Sequence, residues 1–497
     1  MVRRPALRNV PSSAGTPSGW AAVTLTDPRP RHTGTGPPGP RARRAGRIAV
    51  AVWAAGIAAA FAVGWWRRRA GLAPEDPLPP LFAHARLLTW QMLPAAAVAA
   101  VAVAALPALT RRLRWPTALL AAWAIAALWA VALAAADGAD ALTQPLKAPT
   151  EYLAGLPQLS PDPLAWLATF SDRLGGYTTQ VRGHPPLPML VLWLLHEAGL
   201  GGAGWAAVLL IGSGSSAVIA IAVTLRCLAS ERVARAAVPF LVLAPPALWI
   251  ATTMDAFFLA TGAWGTALLA VATARSNRYG DLVAAMFGGI LLGALPYLSY
   301  GLLPLYAVPL AVVVLSRPRP PVLVALACGL VAVPALLTAG GFWWWDGVRA
   351  THETYLISRG SAQRSFAYYA FADFAVLGLL TGPAIAYALP GALHTLRRSP
   401  RALLSGSGAP GPSTGSKIDS AAAHPNLPIA LLVGAALLGT FALDLSGVTK
   451  GEVERIWIPY AAWIIPAAAL HRLPARGWLA AQALTALTVQ ALVLSPW

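Results

Sequence analysis

Arg111-Arg112-Leu113-Arg114 leads into the run WPTALLAAWAIAALWAVALAAA over 115–136, and Asp137-Gly138-Ala139-Asp140 follows it. The run carries no charge. At about 1.5 Å per helical residue it is long enough to cross the roughly 30 Å hydrocarbon layer of a bilayer. A span that is basic on one flank and acidic on the other is read with its basic end in the cytoplasm.

Apolar runs recur on both sides of this one. They lie at 48–66, 88–109, 205–225, 236–251, 256–274, 282–297, 301–315, 321–339, 374–396, 427–443, 457–470 and 478–494. The total is about 13 spans. The pair at 282–297 and 301–315 reads either as two spans or as one broken helix, because Pro296 stands at their junction. The expected fold is an all-α polytopic membrane bundle.

Composition agrees. Of 497 residues 57% are hydrophobic and only 11% charged, against about 25% charged in soluble domains. A soluble enzyme, a secreted disulfide scaffold and a mostly disordered chain are excluded. The two cysteines, Cys227 and Cys328, form no CxxC pair and argue against a disulfide framework or a zinc site.

The net charge of +18 first suggests nucleic acid. Sorting charges by loop removes that reading. With the N-terminus inside, most of the 37 basic residues fall in cytoplasmic segments, whereas only Asp27, Glu231, Asp281 and Asp419 of the 19 acidic residues do. Arg67–Arg69 and Arg86 are exceptions on the outer side. No nucleic-acid partner is expected; the lipid bilayer is.

The chain then divides as follows. Residues 1–46, rich in Pro, Gly, Ser and Arg, read as a disordered basic tail. Residues 47–396 form a membrane core with two long outer segments, 137–204 and 342–372. The Ser/Gly/Pro-rich stretch 397–426 reads as a cytoplasmic linker, and 427–497 as C-terminal membrane helices. Apolar and aromatic stretches in the outer segments predict folded surface helices.

Polar chemistry collects on the outer side. Asp137 and Asp140 stand at the outer end of the third span, and Glu151-Tyr152 follows in the same loop. A carboxylate at this water boundary can serve as a general base or simply cap a helix end. Arg182 precedes Gly183-His184-Pro185-Pro186-Leu187, where two prolines enforce an extended chain at the membrane surface. His184 there either faces a phosphate or sugar or is a solvated residue before an embedded helix. Asp255 begins an apolar run beside Met254 and two phenylalanines. The second outer segment holds Trp343-Trp344-Trp345, which suit either an interfacial belt or stacking on a ligand, and Arg349, whose guanidinium geometry matches phosphate. Lys450-Gly451-Glu452-Val453-Glu454-Arg455-Ile456-Trp457 is a dense charge cluster leading into an apolar run. Glu454 and Arg455 are sequence neighbours and cannot pair across a helix face, so Arg455 has another partner, lipid-linked phosphate or solvent. No GxGxxG, Walker loop, H-E-x-x-H or G-x-S-x-G motif is present.

Gly183-His184-Pro185-Pro186-Leu187, following a loop with acidic residues, resembles the H-P-P-L segment of the C-type (GT-C) membrane glycosyltransferases, which include protein O-mannosyltransferases and lipid A aminoarabinose transferases. In the same order come Ala244-Pro245-Pro246, then Thr253-Met254-Asp255-Ala256-Phe257-Phe258, then a glycine-rich stretch from Gly288-Gly289 to Leu303-Pro304. The segment from Gly451 to Trp457 is similar to one in actinobacterial-type membrane glycosyltransferases. The resemblance implies a GT-C-like helical fold and a sugar donor on polyprenyl phosphate. It also implies a carboxylate of the first outer loop that activates the acceptor. By position, Glu151 and Asp140 rank together and Asp137 third; the adjacent acidic pair of many members is absent. His184, Arg182, Asp255, Arg349, Glu452 and Arg455 are the expected substrate-binding residues. The acceptor is unspecified. No cofactor is expected, and a divalent metal is allowed but not indicated. The expected location is the cytoplasmic membrane, with the site on its outer face. The alternative is a transporter or lipid flippase.

Overall fold

Proline and glycine decide where these apolar runs become long helices and where they break. The computed structural model describes residues 39–73, 76–274, 278–357, 361–398, 426–470 and 475–497; the segment 1–38 and most of the linker, 399–425, lie outside the described residues. The helices of ten or more residues are α1 (Pro40–Arg69), α2 (Leu93–Arg112), α3 (Trp115–Ala134), α4 (Leu187–Glu197), α5 (Ala203–Leu228), α6 (Glu231–Val242), α7 (Asp255–Ala274), α8 (Arg278–Leu298), α9 (Ala307–Ser316), α10 (Pro320–Ala339), α11 (Trp344–Ile357), α12 (Phe366–Thr381), α13 (Pro383–Arg398), α14 (Leu427–Leu445), α15 (Ile458–Leu470, its second half 3-10) and α16 (Ala475–Leu492). The helix α1 begins at Pro40, inside the stretch read as tail.

Among the described residues, eight helices are long and apolar enough to cross a membrane, or nine if the bent pair α12–α13 is one span. The fold is thus an all-helical membrane bundle with fewer full-length spans than the 13 apolar runs. The difference lies in imino acids and amides. The run at 236–251 ends as a helix at Val242, and Pro245-Pro246 turns the chain into a buried 3-10 segment, Pro245–Trp249. The run at 301–315 is a 3-10 stretch around Pro304 followed by the short α9. The run at 457–470 is the 13-residue α15, which passes into 3-10 geometry at Ile465, next to Pro466. Gln482, Gln490 and Arg476 make α16 too polar to rank with the spans.

The 107° bend between α12 and α13 sits at Gly382, whose φ of 77° favours glycine. A bend strands backbone groups that a continuous helix would pair. Fully buried Gln482 recovers two of them. Its amide donates to the Thr381 carbonyl (2.7 Å) and accepts from the Ala384 N–H (3.3 Å).

In the bundle's interior α7 packs between α5 and α8, and α8 against α10. Glycine sets the last contact. A Cβ on Gly289, Gly293 or Gly329 would collide with the facing backbone carbonyl of Leu326, Leu330 or Met286. Small residues at such positions let two membrane helices pack backbone to backbone. By contrast α1 is almost wholly exposed and touches the bundle through α12 and α13, where Trp53 donates to the Gly378 carbonyl (2.8 Å).

The two ends of the bundle differ in chemistry. Where α3 begins, Glu231 pairs with Arg226 (3.1 Å) and Arg235 (2.7 Å), and Arg235 also donates to the carbonyls of Thr110 and Leu113. Where α3 finishes, segment 137–204 folds into short helices. A strap, 76–92, crosses beside it and pairs through His84–Ala85 with Val493–Leu494 in a two-stranded antiparallel ribbon.

Candidate functional site

A cavity opens at this second end. Its empty space, mouth included, is about 280 Å³, and Glu151, Tyr152, Gln180, Thr252, Thr253, Asp255, Arg455 and Trp497 line it with Pro145 and Met254. Five separate stretches of chain supply these groups. Glu151 stands immediately before the 3-10 turn Tyr152–Gly155. Asp255 is the first residue of α7, where a carboxylate meets the positive end of the helix dipole. Arg455 comes from a single helical turn, Val453–Ile456, that follows a tight bend with positive φ at both Gly451 (76°) and Glu452 (60°). A non-glycine residue held there stores strain of order 1 kcal/mol.

Ion pairs hold that bend. Arg455 donates from Nη1 to Asp255 Oδ2 (3.1 Å) and from Nη2 to Glu452 Oε2 (2.9 Å), with its guanidinium 4.4 Å from the Trp497 ring centre. The other oxygen of Glu452 accepts from Arg364 Nη1 (3.2 Å). Arg364 in turn grips Asp76 with Nε and Nη2 (2.7 Å for the shorter contact) and donates to the Lys450 carbonyl. Glu452 is therefore the shared anion between two arginines. Burial opposes its charge, but Arg455 and Arg364 outweigh it and hold the carboxyl below its usual range.

Glu151 is opposite in sign. Burial pushes its carboxyl above the ordinary value, against the pull of Arg455 and a hydrogen bond from the Gln180 amide (3.1 Å). A carboxylate raised in this way is a better proton acceptor near neutrality. Among the described residues, four buried polar atoms of the lining have no partner: Tyr152 Oη, Thr252 Oγ1, Arg455 Nε and Trp497 Nε1. Their hydrogen-bonding capacity is unspent, which is uncommon for buried polar groups.

His184 sits behind Tyr152, ring centres 5.7 Å apart, with Phe258 at 6.0 Å. Its Nδ1 contacts the Gln180 carbonyl (2.8 Å). A carbonyl only accepts, so Nδ1 carries a proton. Burial lowers the ring's basicity despite nearby Asp255. His184 thus lies in the wall behind the cavity rather than in its lining, with burial favouring the uncharged imidazole.

The remaining expected residues lie elsewhere. Asp137 is occupied: Arg86 and the Gln490 amide (2.9 Å) hold both its oxygens, tying the strap and α16 to the end of α3. Asp140 is exposed on a 3-10 turn outside the lining. Arg182 is half-buried at the end of a four-residue helix and does not line the cavity. Arg349 is on exposed α11 with only Asp346 nearby, at 3.8 Å. Asp137 and Asp140 lie on 3-10 turns and Arg182 and Arg349 on α-helices, and none of the four lines the cavity. Asp76, Gln180, Thr252 and Trp497 have no periodic or motif signal; a carboxylate such as Asp76 among prolines reads as solvated loop.

Glu454 adds a titration beside the site. Its Oε1 accepts the Phe82 N–H of the strap (3.1 Å), and Oε2 is buried without a partner. Burial, with Glu452 adding, pushes its carboxyl up from 4.5 to about 7. The folded state therefore holds this proton more tightly than the unfolded chain. Its stabilising contribution is complete below about pH 4.5 and is lost as pH rises through 7. Glu454→Gln should match the parent's unfolding temperature at pH 4 and exceed it at pH 8, by roughly 3 kcal/mol at the alkaline limit. Thermal unfolding in detergent at the two pH values measures this; an equal offset at both would refute it.

Two solved structures are similar to the chain. The apo crystal structure of the Archaeoglobus fulgidus oligosaccharyltransferase matches at 12% identity with a TM-score of 0.40. The archaeal oligosaccharyltransferase AglB from Archaeoglobus fulgidus, in complex with an inhibitory peptide and a dolichol-phosphate, matches at 11% and 0.38. Each match covers 76% of this chain and 56% of the other, so the chain spans little more than half the length of either protein. No protein-family model and no curated protein sequence matches the chain.

Proposed function

We propose that the protein is a C-type membrane glycosyltransferase that moves a sugar from a polyprenyl-phosphate donor to an acceptor on the extracytoplasmic face. One observation carries this reading. A half-buried carboxylate of raised basicity and a buried arginine share one cavity with the hydroxyls of Tyr152 and Thr252, at the end of the helical bundle where segment 137–204 lies.

The chemistry follows from that arrangement. The acceptor hydroxyl hydrogen-bonds to Glu151. Its oxygen attacks the anomeric carbon as the proton passes to Glu151, and the bond from that carbon to the phosphate oxygen breaks. The polyprenyl phosphate departs with the electron pair, and the displacement inverts the anomeric centre. Arg455 offsets the charge growing on the phosphate, exchanging part of its hold on Asp255 and Glu452 for it. Tyr152 and Thr252 supply hydroxyls to the sugar. Arg349 and His184, outside the lining, are not assigned a role at the leaving group in this reading.

Labelled polyprenyl-phosphate sugar supplied to the purified protein tests the reading. Transfer or release of the sugar in detergent is expected. Movement of label only across sealed vesicles, with no cleavage, would make the protein a transporter instead.

A further inference from the structure

Gln180 makes three contacts that join the two halves of segment 137–204. Its backbone N–H donates to the Thr150 carbonyl (2.9 Å), its side-chain amide donates to Glu151 Oε1 (3.1 Å), and its carbonyl accepts from His184 Nδ1 (2.8 Å). The residue is 7% exposed and lines the cavity. A carboxylate only accepts, so it is the amide's NH2 that faces Glu151. Oε1 is thereby committed. Glu151 Oε2 has no hydrogen bond among the described residues, and its residue lines the cavity.

We propose that Gln180 is a positioning residue: it fixes the Glu151 carboxylate so that one oxygen is tied back to the protein and the other is presented to the acceptor hydroxyl. His184 serves the same end from behind. By holding the Gln180 carbonyl it keeps the peptide, and so the amide, in place. This inference rests on the glycosyl-transfer reading for its catalytic consequence but not for its geometry.

A hydrogen bond to the charged form of a carboxylate favours that form. Losing it leaves Glu151 facing Arg455, Asp255, Glu452, Tyr152 and neutral His184, with burial unopposed by the amide. Gln180→Leu should then raise the Glu151 carboxyl by about one pH unit, the size expected for one hydrogen bond to a charged group. Gln180→Glu keeps the volume, adds a like charge, and should raise it further.

Isotope-edited infrared titration of the purified protein reads the Glu151 carboxyl directly, its band identified by loss in Glu151→Gln. This needs no turnover. An upward shift in either folded variant supports the proposal, and an unmoved titration overturns it. The rate profile supplies the second reading. If the parent transfers sugar, Gln180→Leu should lose about tenfold at the acidic end and recover towards parental rates at alkaline pH. A uniform loss at every pH would mean a merely structural role and would also overturn the proposal. If the titration moves but the parent transfers nothing, the positioning claim stands and the glycosyl-transfer reading falls.

Discussion

Glu151→Gln is expected to lower sugar transfer by about 100- to 10,000-fold, the usual contribution of a positioned general base, while leaving insertion and unfolding temperature close to the parent's. Glutamine keeps the shape of the side chain but takes no proton. Among the described residues, the hydrogen bond that the change disturbs is the one from Gln180 to Oε1. In the parent, the base works only when ionised, so activity is present above the Glu151 pKa and falls as pH drops through it. Burial raises that carboxyl above the usual 4.5, so the acidic limb should lie above that value. Asp140→Ala is the control. Asp140 is exposed and outside the lining, and its loss should change the rate by less than about threefold, as expected of a surface site. Steady-state rates of the two variants across pH 4–9 decide between the carboxylates. A dead Asp140 variant beside an active Glu151 variant would reverse the assignment.

Arg455→Met should destabilise the protein by about 3–5 kcal/mol, the range for removing one partner of a buried ion pair. Asp255 is 4% exposed and its carboxylate pairs with no other cation among the described residues, whereas Glu452 keeps Arg364. The loss is therefore concentrated on Asp255. Asp255→Asn in the Arg455→Met background should recover much of it, because the stranded charge is gone, and the double-mutant cycle should show strong coupling. Arg455→Lys should fall between: an ammonium retains the charge but lacks the fork that reaches Asp255 and Glu452 together and the flat face over Trp497. Unfolding temperatures in detergent of the parent, Arg455→Met, Asp255→Asn, their combination and Arg455→Lys measure this. Additive losses would mean that the pair is not coupled.

Much of the fold is legible from one-dimensional pattern. Most of the long apolar runs are helices in the structure, and eight of those helices are long and apolar enough to cross a membrane among the described residues. What pattern misses is where a helix stops. The break at Gly382 depends on Gln482, a residue 100 positions away that satisfies the freed backbone groups. The candidate site divides in the same way. Asp255, Glu452 and Arg455 stand at or near boundaries of apolar runs, where a charge needs a reason, whereas Glu151 lies within the outer loop and is singled out by the family resemblance. Whether each then meets a partner depends on turns too short to carry a period. Asp137 was taken by Arg86 from the strap and by Gln490 from α16, and neither partner is near it in sequence. Gln180 carries no charge and no motif, and only the folded loop shows what it holds.

The central claim is that this cavity cleaves a polyprenyl-phosphate sugar with Glu151 as the base. The most direct measurement is release of polyprenyl phosphate from a labelled donor by the purified parent and by Glu151→Gln, at matched folding and pH. The account predicts release by the parent, coupled to sugar on the acceptor, and release reduced at least about 100-fold in the variant. Equal release by both, or intact donor with the parent, would contradict it.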